Sequence, residues 1–237
     1  MSKEKVRLAV FDFDGTLTTG HLWIGLWKHH REHREKTLGV YFYLASHLPF
    51  WLLSKTGLYS VEKDRSRWGE GLSALVKGFS VSQAEEAFKW IRDNYFAPLM
   101  RKDMLERIGT HRSAGDRVVL LSGMFQEFLD LVGQNIGAEY IIGTRLELAK
   151  GIYTGRIIKP LCFGENKARL LVERMKTLDL DVDWQASTSY ADSYFDFPVF
   201  KLVGHPVATY PDDRLRKIAE AGGWPIIAEA THSGKPN

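Results

Sequence analysis

Cysteine is almost absent from this chain, since Cys162 is its one cysteine in 237 residues. A single cysteine excludes a disulfide within the chain. This is compatible with a reducing compartment, and we expect a cytoplasmic protein, with peripheral attachment to a membrane left open. No conventional partner for thiol chemistry lies near Cys162, so we expect this side chain to serve in packing.

An excess of charge of one sign is absent as well. The chain has 32 Lys and Arg against 29 Asp and Glu, which gives a formal net charge of +3. This excess is too small to indicate a nucleic-acid partner, and we expect none. Residues 1–5 lack the apolar core of a signal peptide. At the other end, residues 231–237 are expected to be frayed.

One long stretch carries no Asp, Glu, Lys or Arg, namely residues 37–54. Its length approaches that of a membrane-spanning helix. However, His47 and Pro49 interrupt it, and we expect Pro49 to break or kink a helix. Three interpretations stay open: a buried pair of helices, a helix lying at a membrane interface, and a membrane span. We favour the buried pair.

Two carboxylates follow directly on an apolar run near the N-terminus. Residues 7–11 predict a buried parallel strand, and Asp12 and Asp14 come straight after it. In open α/β sheets ligands bind at this carboxyl edge, and Gly15 allows a sharp turn there. The pattern predicts one carboxylate as attacking group and metal ligand, and the other as proton donor and acceptor. A solvated turn is the alternative for the short motif taken alone.

Further polar groups follow other predicted elements downstream. Residues 117–121 predict a strand that ends in Ser122 and Gly123 before a helix-like pattern. A hydroxyl and backbone N–H groups at a helix N-terminus suit an oxyanion, although Ser122 alone also fits a helix N-cap. Lys167 lies near the start of another predicted helix. Asp192 and Asp196 lie on one side if the turn that contains them continues into a helix.

In this order the motifs resemble those of a known family. Four motifs resemble those of the haloacid dehalogenase superfamily, in its helical-cap, phosphoserine phosphatase-like branch. They are the string from Asp12 to Thr18, then Ser122, Lys167, and the pair Asp192 and Asp196. The resemblance covers nearly the whole chain and is weakest at about residues 20–101. It implies a phosphomonoester hydrolase that depends on Mg2+ and works through an aspartyl-phosphate. Its partner would be a small-molecule phosphomonoester substrate.

The resemblance also implies a role for each motif residue. Asp12 would attack phosphorus, and Asp14 would protonate the leaving alcohol and then activate water. Lys167 would neutralise the charge of the nucleophile and the phosphate. Ser122 and the N–H of Gly123 would hold phosphate oxygens.

A metal site is implied by the same comparison. Mg2+ would be held by Asp12, by the backbone carbonyl of Asp14 and by Asp192. Asp196 would be an additional ligand or an acceptor just outside the ligand set. Few protein ligands, completed by waters and a phosphate oxygen, are usual for this ion at phosphoryl-transfer sites.

The alternation of predicted strands and helices indicates an α/β fold, with a Rossmann-like parallel sheet flanked by helices. We expect strands near residues 7–11, 117–121, 139–142, 184–190 and 206–210, and a β-hairpin over 145–156. The aromatic-rich segment 19–102 resembles the family's inserted all-helical cap domain, which leaves residues 1–18 and 103–237 as the catalytic core. Hinges are expected near 18–20 and 98–100. Such a cap would close over the site and choose the substrate.

The substrate is less determined than the chemistry. Phosphoserine phosphatases carry an acidic residue where the cap begins, which pairs with the substrate amine. Residues 19–22 contain none here, and the next carboxylate is Glu32. This counts against phosphoserine and leaves histidinol phosphate, amino alcohol phosphates and lipid-linked phosphates open. The alternatives are a phosphotransferase or mutase that uses the same phosphoenzyme, and a non-catalytic module that binds phospho-ligands or a membrane surface through the cap.

Overall fold

A six-stranded parallel sheet lies at the centre of the computed structural model, which describes residues 5–228. The predicted frayed end at 231–237 and residues 1–4 lie outside the described residues. The strands of the chain are β1 Leu8–Phe11, β2 Arg117–Phe125, β3 Tyr140–Thr144, β4 Leu146–Ala149, β5 Ile152–Ile157, β6 Thr188–Ala191, β7 His205–Thr209 and β8 Ile226–Ile227.

Nine α-helices accompany these strands within the described residues. They are α1 Leu22–Glu32, α2 Thr37–Lys55, α3 Val61–Gly71, α4 Val81–Ile91, α5 Lys102–Ser113, α6 Gln126–Ile136, α7 Glu165–Thr177, α8 Phe197–Phe200 and α9 Asp213–Gly222. Helices therefore follow most strands, and the predicted parallel α/β fold is confirmed.

Strand β1 lies in the middle of the sheet, whose order is β3-β2-β1-β6-β7-β8. It pairs in parallel with β2 on one side and with β6 on the other. All four of its residues are buried, as expected for an apolar strand with neighbours on both edges. The predicted hairpin is confirmed as the antiparallel pair β4-β5.

Two predicted boundaries are wrong. The sixth strand begins at Thr188 rather than at 184, because residues 184–187 form a turn in which the Asp183 carboxylate accepts the N–H of Ala186 at 3.1 Å. Strand β2 runs on through Ser122 to Phe125, and α6 begins only at Gln126.

The chain between β1 and α5 is helical and is called the helical segment below, residues 22–99. One buried apolar cluster joins it to the sheet: the ring of Phe96 lies 5.3 Å from that of Phe13 and 5.1 Å from that of Phe128. The two connections to the rest of the chain run side by side. Thr19 N–H donates to the carbonyl of Leu99 at 3.2 Å. The division into two domains and the hinges stay predictions.

The uncharged stretch forms one helix, α2, which continues through Pro49. The predicted break is wrong. Proline removes the hydrogen bond to the carbonyl of Ala45, but Ala45 is exposed, so water can satisfy this carbonyl. The favoured interpretation as a buried pair of helices is wrong too, since the stretch is a single helix, and Leu38 and Phe42 are 84% and 77% exposed while one face is buried. An interfacial location stays a prediction.

Across residues 5–228, no helix combines the length and the apolar character needed to cross a bilayer.

Candidate active site

The predicted site residues meet at one edge of the sheet. Asp12 follows β1, Ser122 lies in β2, and Asp192 follows β6 directly. Because β2 and β6 flank β1 in parallel, their carboxyl ends lie side by side. Residues that are far apart along the chain therefore lie close together at this edge.

Asp12 is buried, with 6% of its surface exposed, whereas the side chain of Asp14 is 39% exposed. The turn after them needs Gly15, which has a φ of +76°. A Cβ at Gly15 would lie 2.1 Å from Oδ2 of Asp192. Glycine therefore permits both the turn and the close approach of Asp192 to the first motif.

Lys167 connects the buried carboxylates. Its Nζ donates to Oδ1 of Asp12 at 2.7 Å and also donates to Oδ1 of Asp196. All three side chains are buried. Burial alone would lower the pKa of Lys167, but the charges and hydrogen bonds of Asp12 and Asp196 outweigh it and raise that pKa. The side chain is therefore a buried ammonium.

Three buried or partly buried carboxylates lie close together beside the single ammonium of Lys167. Oxygens of Asp12, Asp192 and Asp196 all lie within 4.8 Å of one another. Burial raises the pKa of Asp12 to about 7, against the attraction of Lys167, and burial with the charge of Asp12 raises the pKa of Asp192 to about 9. A divalent cation would offset this repulsion, and an all-oxygen donor set suits a hard cation such as Mg2+. The residues present therefore fit the implied metal; the carboxylate of Asp14 lies outside this group.

Ser122 is fully buried, and its Oγ accepts the N–H of Met124 at 3.3 Å. The N-cap of α6 is Phe125, which makes no side-chain cap, so the reading of Ser122 as a helix cap is wrong. A Cβ at Gly123 would lie 3.3 Å from the carbonyl of Cys162. The thiol of Cys162 is buried, and burial raises its pKa to about 12, which agrees with packing rather than thiol chemistry.

One neighbour of the site was missed by the sequence reasoning. Nδ1 of His21 lies 3.8 Å from Oδ1 of Asp14, close enough for attraction between charges. Asp14 raises the pKa of His21 above its usual value. Its position is the signal in the sequence, because His21 lies where phosphoserine phosphatases carry an acidic residue.

A cavity of about 500 Å³ extends from these carboxylates towards the helical segment. Its sheet end includes Asp12, Ser122 and Lys167. Its other end is lined by side chains of α1, α2 and α3, among them Trp23, Tyr43, Trp51, Asp64, Arg65 and Trp68. The helical segment therefore forms part of the wall of the candidate active site.

Comparison with known proteins agrees with this geometry. The family model described as haloacid dehalogenase-like hydrolase matches residues 9–201. The chain is 31% identical over 222 residues to phosphoserine phosphatase SerB1 of Mycobacterium tuberculosis, covering 92% of this chain and 69% of that protein. It is 32% identical over 159 residues to a histidinol-phosphatase of Neisseria meningitidis, covering 65% of this chain and 70% of that protein.

A solved structure shares the fold. The crystal structure of a protein of unknown function from Bordetella pertussis Tohama I superimposes with a TM-score of 0.79 at 23% identity, covering 94% of this chain and 99% of that one. Fold, motifs and family match together lead to one assignment: the chain belongs to the haloacid dehalogenase-like hydrolases and is a phosphatase of their phosphoserine phosphatase-like branch.

Proposed function

We propose that this phosphatase hydrolyses small phosphomonoesters with Mg2+ through an aspartyl-phosphate formed on Asp12. The observation that carries the proposal is the contact of buried Asp12 with Lys167 at 2.7 Å, beside the carboxylates of Asp192 and Asp196. Uncatalysed hydrolysis of phosphomonoesters is extremely slow, so fixed positions and fixed charges must supply most of the acceleration.

The first half of the reaction forms the phosphoenzyme. Lys167 holds Oδ1 of Asp12, which leaves Oδ2 as the atom that attacks phosphorus. The bond from phosphorus to the leaving oxygen breaks as the new bond forms. Asp14 gives its proton to the departing alkoxide and becomes a carboxylate. Its partial exposure allows proton exchange with solvent.

The second half returns Asp12 to its free form. Asp14 now accepts a proton from water, and the resulting hydroxide attacks phosphorus of the aspartyl-phosphate. The bond between phosphorus and Oδ2 of Asp12 breaks, and inorganic phosphate leaves. Ser122 and the N–H of Gly123 hold the phosphoryl oxygens, and Lys167 balances the charge that collects beside them throughout.

Mg2+ would be held by the carboxylates of Asp12, Asp192 and Asp196 and by the backbone carbonyl of Asp14. When bound, this ion offsets negative charge on the phosphoryl oxygens. Burial raises the pKa of two of these residues, Asp12 and Asp192, so a bound cation would be part of the charge balance of the folded site.

Phosphate release from an aryl phosphate tests the proposal. We expect turnover with Mg2+, its loss in excess chelator, and its loss in Asp12→Asn. Asp181→Asn, an exposed aspartate, serves as the matched control and should turn over normally. Deamidation of the Asp12→Asn protein is excluded by mass spectrometry. Equal rates with and without chelator would contradict the metal assignment.

The covalent step has its own test. Borohydride reduces an acyl phosphate, so protein quenched during turnover should carry homoserine at position 12, detected by peptide mass spectrometry. The same label at another carboxylate, or none at a time when substrate is being hydrolysed, would contradict Asp12 as the nucleophile.

A further inference from the structure

A second buried carboxylate lines the same cavity, at its helical end. Asp64 lies in the first turn of α3 and is 4% exposed. Its Oδ1 is buried and receives no hydrogen bond from any described residue. A buried carboxylate without a partner is costly, because it has lost its water and gained nothing in exchange.

The other oxygen of Asp64, Oδ2, has one long contact with a possible hydrogen-bond donor. Oγ of Ser54 lies 3.4 Å from Oδ2 of Asp64 but only 2.8 Å from the carbonyl of Trp51. A serine hydroxyl has one proton to donate, and the shorter contact takes it. Asp64 is therefore a hydrogen-bond acceptor with both oxygens available.

Two basic side chains that line the cavity contact aromatic rings instead of Asp64. Lys55 and Arg65 line the cavity, yet neither forms an ion pair with Asp64 among residues 5–228. Nζ of Lys55 lies over the ring of Trp51 at 5.7 Å, and the guanidinium of Arg65 lies 5.7 Å from the ring of Phe195. The start of α3 contributes partial positive charge, but this gives Oδ1 no hydrogen bond.

Two tryptophans of the cavity wall lie one helical turn from Asp64 or from its neighbour Ser54. Trp68 lies one turn after it on α3, and therefore on the same face of the helix. Trp51 lies one turn before Ser54 on α2, and Ser54 contacts Asp64. Both tryptophans line the cavity. Aromatic faces attract organic cations, most strongly when the cation is removed from water.

We propose that Asp64, Trp51 and Trp68 form a subsite for a cationic group on the leaving alcohol, so that the enzyme selects phosphomonoesters of amino alcohols. The proposal rests on the proposed function, because the phosphate of the same molecule must bind beside Asp12. An ammonium group supplies the donor that Asp64 lacks and makes a cation–π contact with a tryptophan ring. A neutral lipid chain would leave Asp64 buried and unpaired.

The subsite also replaces a missing feature of the sequence. No carboxylate occurs at residues 19–22, at the entry to the helical segment. Helix α3 brings a carboxylate to the cavity from a different position of the chain. The two ends of the cavity thus have opposite preferences: Lys167 at one end attracts the phosphate, and Asp64 at the other attracts the cation.

Two pairs of isosteric substrates test the subsite. Phosphocholine is compared with the dimethylbutyl phosphate in which carbon replaces the quaternary nitrogen, and phosphoethanolamine is compared with propyl phosphate. Wild-type enzyme should favour the cationic member of at least one pair by about tenfold or more in kcat/KM. Asp64→Asn should reduce this ratio to near one, and thermal unfolding checks that the variant is folded. Glu62→Gln is the matched control, since it removes an exposed charge from the same helical turn and should keep the ratio.

The outcomes separate this inference from the proposed function. Equal kcat/KM within both pairs, with normal hydrolysis of the aryl phosphate, overturns the subsite and leaves the phosphatase intact. If nothing is hydrolysed, the proposed function fails, and titration of tryptophan fluorescence with choline and with the neutral dimethylbutanol still decides the subsite. Tighter binding of choline supports it, and equal binding overturns it. The wild-type comparisons need no variant, so a poorly folded Asp64→Asn protein would not block the answer.

Discussion

Buried carboxylates at the two ends of the cavity have different surroundings. At the sheet end, Asp12, Asp192 and Asp196 are crowded together, and Lys167 compensates part of their charge. At the helical end, Oδ1 of Asp64 receives no hydrogen bond from any residue that the structure describes. At the phosphate end, a lysine of the chain itself compensates part of the carboxylate charge. At the leaving-group end, the proposed cation of the substrate would compensate the charge of Asp64.

Removing the ammonium at the sheet end should have the largest effect. Lys167→Met would leave Asp12 and Asp196 buried without their shared partner, a change that typically costs about 3–5 kcal/mol of stability. Activity on an aryl phosphate should be lost as well. Chemical denaturation and phosphate release measure the two effects. Lys176→Met, an exposed lysine of the same helix, should change neither, and an equal loss in both variants would show that Lys167 has no special role.

Displacing Asp192 is the next largest change. In Gly15→Ala the new Cβ meets Oδ2 of Asp192, and the residue must also keep a positive φ. Strain at one such position costs about 1–3 kcal/mol, and a small displacement of a reacting group can cost about a hundredfold in rate. Gly57→Ala is the matched control, since Gly57 has a φ of +77° and nothing within 4 Å of its Cβ position.

Unfolding temperature and phosphate release should be measured for both glycine variants. Gly57→Ala should show the backbone cost alone, with normal kcat. Gly15→Ala should show that cost and a large loss of kcat. If the two variants keep the same kcat, the close approach of Asp192 to the first motif does not matter for turnover.

The charge balance of the sheet end should depend on pH and on Mg2+. Burial raises the pKa of Asp192 from 3.8 to about 9, so the folded state holds a proton that the unfolded state has lost between these values. The stability from this group is therefore present at low pH and is lost as pH rises towards 9. The slope is at most about 1.4 kcal/mol per pH unit.

Thermal unfolding with and without Mg2+, at about pH 6 and about pH 8, measures this linkage. Mg2+ should raise Tm more at the higher pH, where the carboxylates must ionise. Asp192→Asn should reduce the difference between the two values. A Tm shift that is independent of pH in the wild type would contradict the carboxylate assignment.

The smallest effect concerns the edge of the site. Because Asp14 raises the pKa of His21, Asp14→Asn should lower that pKa towards its usual value. Titration of the histidine ring protons by NMR measures it, with the His21 signal assigned from its absence in His21→Gln. Asp93→Asn, an exposed aspartate of the helical segment, should leave the His21 titration unchanged.

Sequence reasoning was most successful where a residue's position follows from its strand. Asp12 and Asp192 could be placed together because each follows a predicted strand, and the carboxyl ends of parallel strands meet at one edge of the sheet. The wrong start of β6 had a local cause that the sequence carried, since Asp183 is a turn former. Asp64 could not be identified in this way, because its burial depends on how α2 and α3 pack together.

The helical segment was harder for the same reason. A stretch without charges indicates neither which face of its helix is buried nor what lies against it, and α2 proved to be buried along one face only. The position of Trp51 in the cavity wall follows from that packing. Periodicity could show that residues 37–54 are apolar, but not that they contribute to a substrate site.

The paired connections between the helical segment and the sheet limit how the cavity can open. Thr19 N–H donates to the carbonyl of Leu99, and Arg101 N–H donates to the carbonyl of Leu17 at 2.8 Å, so the outgoing and returning chains form one ribbon. Two independent tethers would allow twisting and sliding, whereas a hydrogen-bonded ribbon bends easily in only one direction. If the helical segment moves about these connections, as the predicted hinges imply, we expect the distance between Lys167 and Asp64 to be the dimension of the cavity that changes.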